Sequence, residues 1–91
     1  MKKGATILVT GLVQGVGCRY FIHRHANSLG LVGFTRNLPS GEVEIELEGE
    51  RDLIEALLSQ VRKGPLIARV EGIQVEWRDY SDRHTRFEIR Y

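Results

Sequence analysis

Gly41-Glu42-Val43-Glu44-Ile45-Glu46-Leu47-Glu48-Gly49 alternates acidic and aliphatic residues without a fault between two glycines. A period of two puts every aliphatic side chain on one side of an extended backbone, so Glu42–Glu48 reads as a half-buried strand with one acidic, wet face. Immediately before it, Pro39-Ser40-Gly41 is a turn cluster, and Val32–Leu38 reads as a strand, so the two strands form a hairpin. After it, Glu50 and Asp52 suit the positive end of a helix dipole. Leu53, Ile54, Leu57, Leu58 and Val61 make one apolar helix face, and Arg62-Lys63-Gly64-Pro65 is a strong stop.

Further out the segments stay short and well punctuated. Ile7–Val13, rich in β-branched residues, reads as a strand. From Tyr20 the period changes: Ile22, Ala26 and Leu29 form one helical stripe, which Gly30 ends as a C′ residue in the left-handed region. Ile73, Val75 and Trp77 alternate in a fourth strand with a bulge expected at Gly72, and Phe87, Ile89 and Tyr91 alternate in a short fifth. The order is β-α-β-β-α-β-β. Right-handed crossovers put both helices on one face of one sheet. A split βαβ arrangement sets the first strand beside the third, with the second on the third's far side. The first and second strands then run parallel. The turn Gly15–Arg19 and the residues around Asn37 therefore meet at one end of the molecule.

Ninety-one residues suffice for one domain, residues 1–91, with a single two-layer core. With 42% hydrophobic and 27% charged residues, the composition is that of an ordinary folded domain. No apolar run approaches the ~18 residues of a membrane span, and the single cysteine, Cys18, forbids an internal disulfide or a cysteine-built zinc site. A reducing cytoplasm is the expected compartment. The net charge of +1 creates no bulk field for nucleic acid or an acidic membrane. An RNA-binding sheet would show aromatic and basic residues on its open face, where this chain places Glu42, Glu44, Glu46 and Glu48.

The chemistry concentrates between the first strand and the first helix. In Val13-Gln14-Gly15-Val16-Gly17-Cys18-Arg19, the glycines can turn several N–H groups toward one point, the helix N-terminus adds free amides, and Arg19 adds a planar fork that matches phosphate or carboxylate. An anion site is the natural product. Gly-x-Gly by itself is equally compatible with a tight turn carrying an exposed arginine. No Gly-Lys-Ser/Thr follows, so it is not a Walker loop, and the third glycine of a dinucleotide fingerprint is missing. Asn37 can hydrogen-bond water with both ends of its amide, although an Asn before Pro39 also suits a turn. His23 and His25, two apart on a helix, cannot face one metal. His84 has no visible partner, and Trp77 belongs to the core or its rim.

Taken together, Gly11-Leu12-Val13-Gln14-Gly15-Val16-Gly17-Cys18-Arg19, Ala26, Leu29-Gly30-Leu31-Val32-Gly33-Phe34-Thr35-Arg36-Asn37 and Gly41-Glu42-Val43-Glu44 resemble the acylphosphatase family. The likeness continues through Glu48-Gly49, Gly64-Pro65, Ala68-Arg69-Val70 and Phe87-Glu88-Ile89-Arg90-Tyr91, essentially the whole chain. The resemblance implies an α+β fold, a ferredoxin-like two-layer sandwich of βαββαβ plus a short C-terminal strand. It also implies hydrolysis of the carboxyl–phosphate bond of acylphosphates to carboxylate and inorganic phosphate. Gln14, Gly15, Val16, Gly17, Cys18 and Arg19 fall on the phosphate-holding motif, and Arg19 and Asn37 on the catalytic positions, Asn37 positioning water. No metal and no cofactor are expected. The expected partner is a small acylphosphate, with inorganic phosphate or sulfate as inhibitor, and the expected state a monomer. Two residues depart from the family's pattern: Cys18 stands where an aromatic residue is usual, and Phe34 where tryptophan is frequent. The competing reading is a non-catalytic anion-binding domain, or one related to the acylphosphatase-like domain of hydrogenase-maturation carbamoyltransferases.

Overall fold

A computed structural model describes every residue from Met1 to Tyr91. The elements are β1 (Lys2–Leu12), α1 (Cys18–Ser28), β2 (Val32–Asn37), β3 (Val43–Glu50), α2 (Arg51–Lys63), β4 (Arg69–Asp79) and β5 (Phe87–Arg90). The expected order is found, and so is the pairing: one five-stranded sheet runs β4-β1-β3-β2-β5. Alternation in β3 buries Val43, Ile45 and Leu47 against the helices, beside Ala5, Ile7 and Val9 of β1. Ile22 and Ala26 of α1 and Ile54, Leu57, Leu58 and Val61 of α2 close the same core, so both helices cover one face. α1 ends as its Gly30 implies. With Gly30 at φ 70°, its N–H donates to the Asn27 carbonyl (3.1 Å) and that of Leu31 to the Ala26 carbonyl (2.9 Å), the two bonds of a Schellman motif.

Several boundaries differ from the sequence reading for reasons of pairing. β1 starts at Lys2, well before Ile7, because antiparallel ladders to β3 on one side and β4 on the other carry its polar residues along. The β4 bulge lies one residue before Gly72: Thr10 pairs with Gly72 and Gly11 with Val70, leaving Glu71 as the extra residue. There Gly11 sits at φ 123°, and any Cβ would run into the Arg69 carbonyl. β5 pairs parallel to β2, Gly33 opposite Phe87 through Arg36 opposite Arg90. Its C-terminal end consequently reaches the end of the sheet that carries Asn37.

The acidic face of β3 is only partly wet, which corrects the simplest reading of its alternation. Glu48 is completely buried. Its carboxylate accepts hydrogen bonds from Ser81 N–H (2.7 Å), Ser81 Oγ–H (2.7 Å) and Arg83 N–H (2.9 Å), pinning the β4–β5 connection across the open face of the sheet. His84 is not partnerless either: its Nε2 lies 2.9 Å from Glu46 Oε2. Burial alone would raise the Glu48 carboxyl, but the Ser81 and Arg83 donors, helped by His84, outweigh it and hold the group down at about 2. A depressed folded-state value means the stabilisation is complete above the ordinary 4.5 and disappears as pH falls toward about 2. Glu48→Gln should therefore lower stability by about 2 kcal/mol at neutral pH, because two backbone N–H groups and a hydroxyl lose their charged acceptor. Urea midpoints measured along a pH series should show the gap to wild type narrowing below pH 4.5, where the carboxyl of the unfolded chain takes up a proton that the folded one resists until about 2.

Candidate active site

Between β1 and α1 the chain reverses through Val13–Gly17. Gly15 (φ 74°) and Gly17 (φ 79°) both adopt the left-handed region, with Gly17 as the N-cap of α1. None of the N–H groups of Gln14, Gly15, Val16 or Gly17 finds an acceptor within the protein. The first turn of α1 adds further amides, since the opening intrahelical bond runs from Phe21 N–H back to the Gly17 carbonyl (3.0 Å). A run of unpaired donors at the positive end of a helix attracts an anion.

A cavity of about 190 Å³ opens beside this turn, lined by Val13, Gly15, Gly17, Cys18, Arg19, Tyr20, Asn37, Ile89 and Tyr91. Arg19, already in the first turn of α1 and half-buried, donates from Nη1 to the Arg90 carbonyl (3.1 Å), and its guanidinium carbon lies 4.8 Å from the centre of the Tyr91 ring. The arginine is thus braced by β5 and is not a loose loop side chain. Asn37, the last residue of β2, presents a buried Oδ1 with no hydrogen-bond partner. In a folded protein such an atom is uncommon and marks a place where water or ligand completes the bonding.

Gly15, Gly17, Cys18, Arg19 and Asn37 therefore come together around one cavity, while Gln14 and Val16 do not line it. Val16 packs partly buried against the core. The Gln14 side chain has different work: Nε2 donates to the carbonyls of Leu38 (2.8 Å) and Glu42 (2.9 Å), tying the turn to the β2–β3 hairpin. Val13, Tyr20, Ile89 and Tyr91 were missed as lining residues. For Ile89 and Tyr91 the missing information was the parallel pairing of β5 with β2, which the local pattern of Phe87–Tyr91 does not encode.

A family model described as acylphosphatase matches residues 5–89. The chain belongs to the acylphosphatase family. The acylphosphatase of Caldivirga maquilingensis is 45% identical to it over 86 residues, 93% of this chain and 90% of that one. That of Salinibacter ruber is 42% identical over 89 residues, covering 98% and 94%. Among solved structures, the acylphosphatase from Bacillus subtilis superposes with a TM-score of 0.94 at 35% identity, covering both chains completely. Full-length HypF, crystallised in a phosphate- and nucleotide-bound form, contains a similar unit: all of this chain matches 12% of HypF with a TM-score of 0.91 and 32% identity.

Within this acylphosphatase fold, Cys18 lies where core and cavity meet. It is buried, belongs to the main apolar cluster and also lines the cavity. Desolvation by burial pushes its thiol up to about 11, so it is protonated and unreactive near neutrality. At pH 7, modification by a water-soluble thiol reagent should be slow and insensitive to added phosphate. Cys18→Ser should cost stability, roughly 1–3 kcal/mol for burying a hydroxyl without a partner, with little change in phosphate affinity. Rapid labelling blocked by phosphate would put the sulfur in the anion site instead.

Proposed function

We propose that this acylphosphatase hydrolyses the carboxyl–phosphate bond of acylphosphates without a metal ion, Arg19 and the Gly15–Arg19 amides holding the phosphate and Asn37 placing the attacking water. The observation that carries the division of labour is the buried, unpartnered Oδ1 of Asn37 on the cavity that Arg19 also lines. A carboxamide oxygen in that state accepts a hydrogen bond from water and orients it, but is far too weak a base to remove its proton at neutral pH.

The reaction suits such a site. Water oxygen bonds to phosphorus, the bond from phosphorus to the carboxyl oxygen breaks, and the electron pair leaves on a carboxylate. A carboxylate is a stable leaving group, so no strong general acid is required. The water's proton passes to a non-bridging oxygen of the substrate's own phosphoryl group. Charge in the loose transition state spreads over the equatorial oxygens. Preorganised N–H donors and a guanidinium fork serve those oxygens directly. No side chain on the cavity lining is a carboxylate or an imidazole, so Arg19 and the peptide amides supply the positive potential there.

Four measurements test this account. Asn37→Ala should lower kcat for benzoyl phosphate by about two orders of magnitude or more, while the inhibition constant for inorganic phosphate stays within a few fold. An equal loss in both would make Asn37 a phosphate ligand. Arg19→Lys should remain severely impaired, since an ammonium cannot reproduce two parallel N–H contacts; near-wild-type turnover would remove the bidentate role. Hydrolysis should survive EDTA, and phosphate should raise Tm, the rise continuing with the logarithm of phosphate concentration above Kd. Activity lost on chelation and restored by a divalent cation would overturn the metal-free mechanism.

A further inference from the structure

The turn between β1 and α1 and the strand end that carries Asn37 are formed by different parts of the chain, and the sheet ladders stop short of both. β1 pairs with β3 only as far as Val9 opposite Val43, after which Thr10, Gly11 and Leu12 pair with β4 alone. Asn37 opposite Val43 is likewise the last pair between β2 and β3. Beyond those pairs, the only hydrogen bonds joining Val13–Gly17 to Asn37–Val43 are the two from Gln14 Nε2, to the carbonyls of Leu38 (2.8 Å) and Glu42 (2.9 Å). The first of these acceptors belongs to the residue that follows Asn37. Neither segment needs the amide for its own shape. Gly41 N–H also donates to the Leu38 carbonyl (3.1 Å) and Leu38 N–H to that of Glu42 (2.8 Å), so the hairpin closes without Gln14. The turn is anchored separately, by buried Val13 and by Val16 packed against the core.

We infer that Gln14 is a positioning residue for hydrolysis, its two N–H bonds fixing Asn37 relative to the anion-holding turn. The inference rests on the proposed roles of the turn and of Asn37 and deepens them. Water held by Asn37 attacks phosphorus in line only if the two segments keep one relation, and a misplacement of about 1 Å costs about a hundredfold in rate. A bound phosphoryl group draws the turn amides onto itself wherever the hairpin stands. It has no such hold on Asn37, which moves with the hairpin. Loss of the bridge therefore falls mainly on kcat and only slightly on anion affinity. The bridge also requires a donor: a carboxylate in the same place would face two carbonyl oxygens and push the segments apart until it took up a proton.

Steady-state hydrolysis of benzoyl phosphate and its inhibition by inorganic phosphate, measured on Gln14→Met and Gln14→Glu, test the assignment. Gln14→Met, close in shape but without donors, should lower kcat about thirtyfold and weaken phosphate inhibition by no more than about fivefold. In an Asn37→Ala background the same substitution should lower kcat by less than about threefold, because a residue that acts through Asn37 has nothing left to place. For Gln14→Glu, kcat relative to wild type should be low at pH 7 and rise as pH falls toward 5, since two facing carbonyls raise the carboxyl above its ordinary ~4.3 and the protonated acid can donate. Equal losses in kcat and phosphate affinity would make Gln14 a support of the anion turn alone and overturn the inference. So would a full thirtyfold loss in the Asn37→Ala background, or a flat pH ratio for Gln14→Glu. Wild-type protein that fails to hydrolyse benzoyl phosphate would instead overturn the reaction on which the inference rests.

Discussion

The site depends on one side-chain amide. Gln14 sits in the turn that leaves β1, yet its Nε2 reaches the carbonyls of Leu38 and Glu42 on either side of the β2–β3 turn. Those carbonyls belong to the residues that close the hairpin, since Leu38 N–H itself donates to the Glu42 carbonyl. A turn whose own N–H groups have no acceptors would otherwise be free to collapse into whatever conformation satisfied them. Clamped to the hairpin, it keeps its donors pointing outward and keeps a fixed relation to Asn37, the last residue of β2. The glycines make the turn accessible, and the Gln14 bridge makes it a single conformation. Unmet hydrogen-bonding capacity is thereby held in place at the end of the sheet, which is what a preorganised anion site requires.

A second constraint acts from the opposite end of β3. Glu48 is drawn out of water by Ser81 and Arg83, and the β4–β5 connection is thereby fastened across the sheet. With that connection placed, β5 lies parallel along β2 and delivers the Arg90 carbonyl to Arg19. An arginine has many rotamers, and holding one of them costs conformational entropy that must be offset by contacts. Here a carbonyl and an aromatic ring on neighbouring residues offset it before any substrate arrives. The buried carboxylate and the braced guanidinium are thus linked through four residues of edge strand.

Charge is distributed to match. On the open face of the sheet Glu44 pairs with Arg36 and Glu46 lies beside Arg78, so these two acids of β3 are balanced locally. The cavity keeps a lone cation among apolar walls.

Much of this was legible without coordinates. Strict alternation in Glu42–Glu48, the helical stripe of Ile22, Ala26 and Leu29, and Gly30 and Gly64-Pro65 as stops are local signals, because backbone periodicity and φ preference act over a few residues. They determined the elements and, through the handedness of crossovers, that the Gly15–Gly17 turn and Asn37 meet at one end of the sheet. The family resemblance of the Gln14–Arg19 segment and Asn37 rested equally on residues that can be read in order. What the tertiary structure alone decided is how the remaining polar groups are divided. Glu48 has the same alternation as Glu44 and Glu46, yet it is buried because a connection more than thirty residues later supplies three donors. The Gln14 side chain becomes a bridge to the hairpin, and Tyr20, Ile89 and Tyr91 become walls of the cavity. A residue's type states which bonds it can make, but the partner is chosen by whichever distant segment the closed sheet brings within hydrogen-bonding reach.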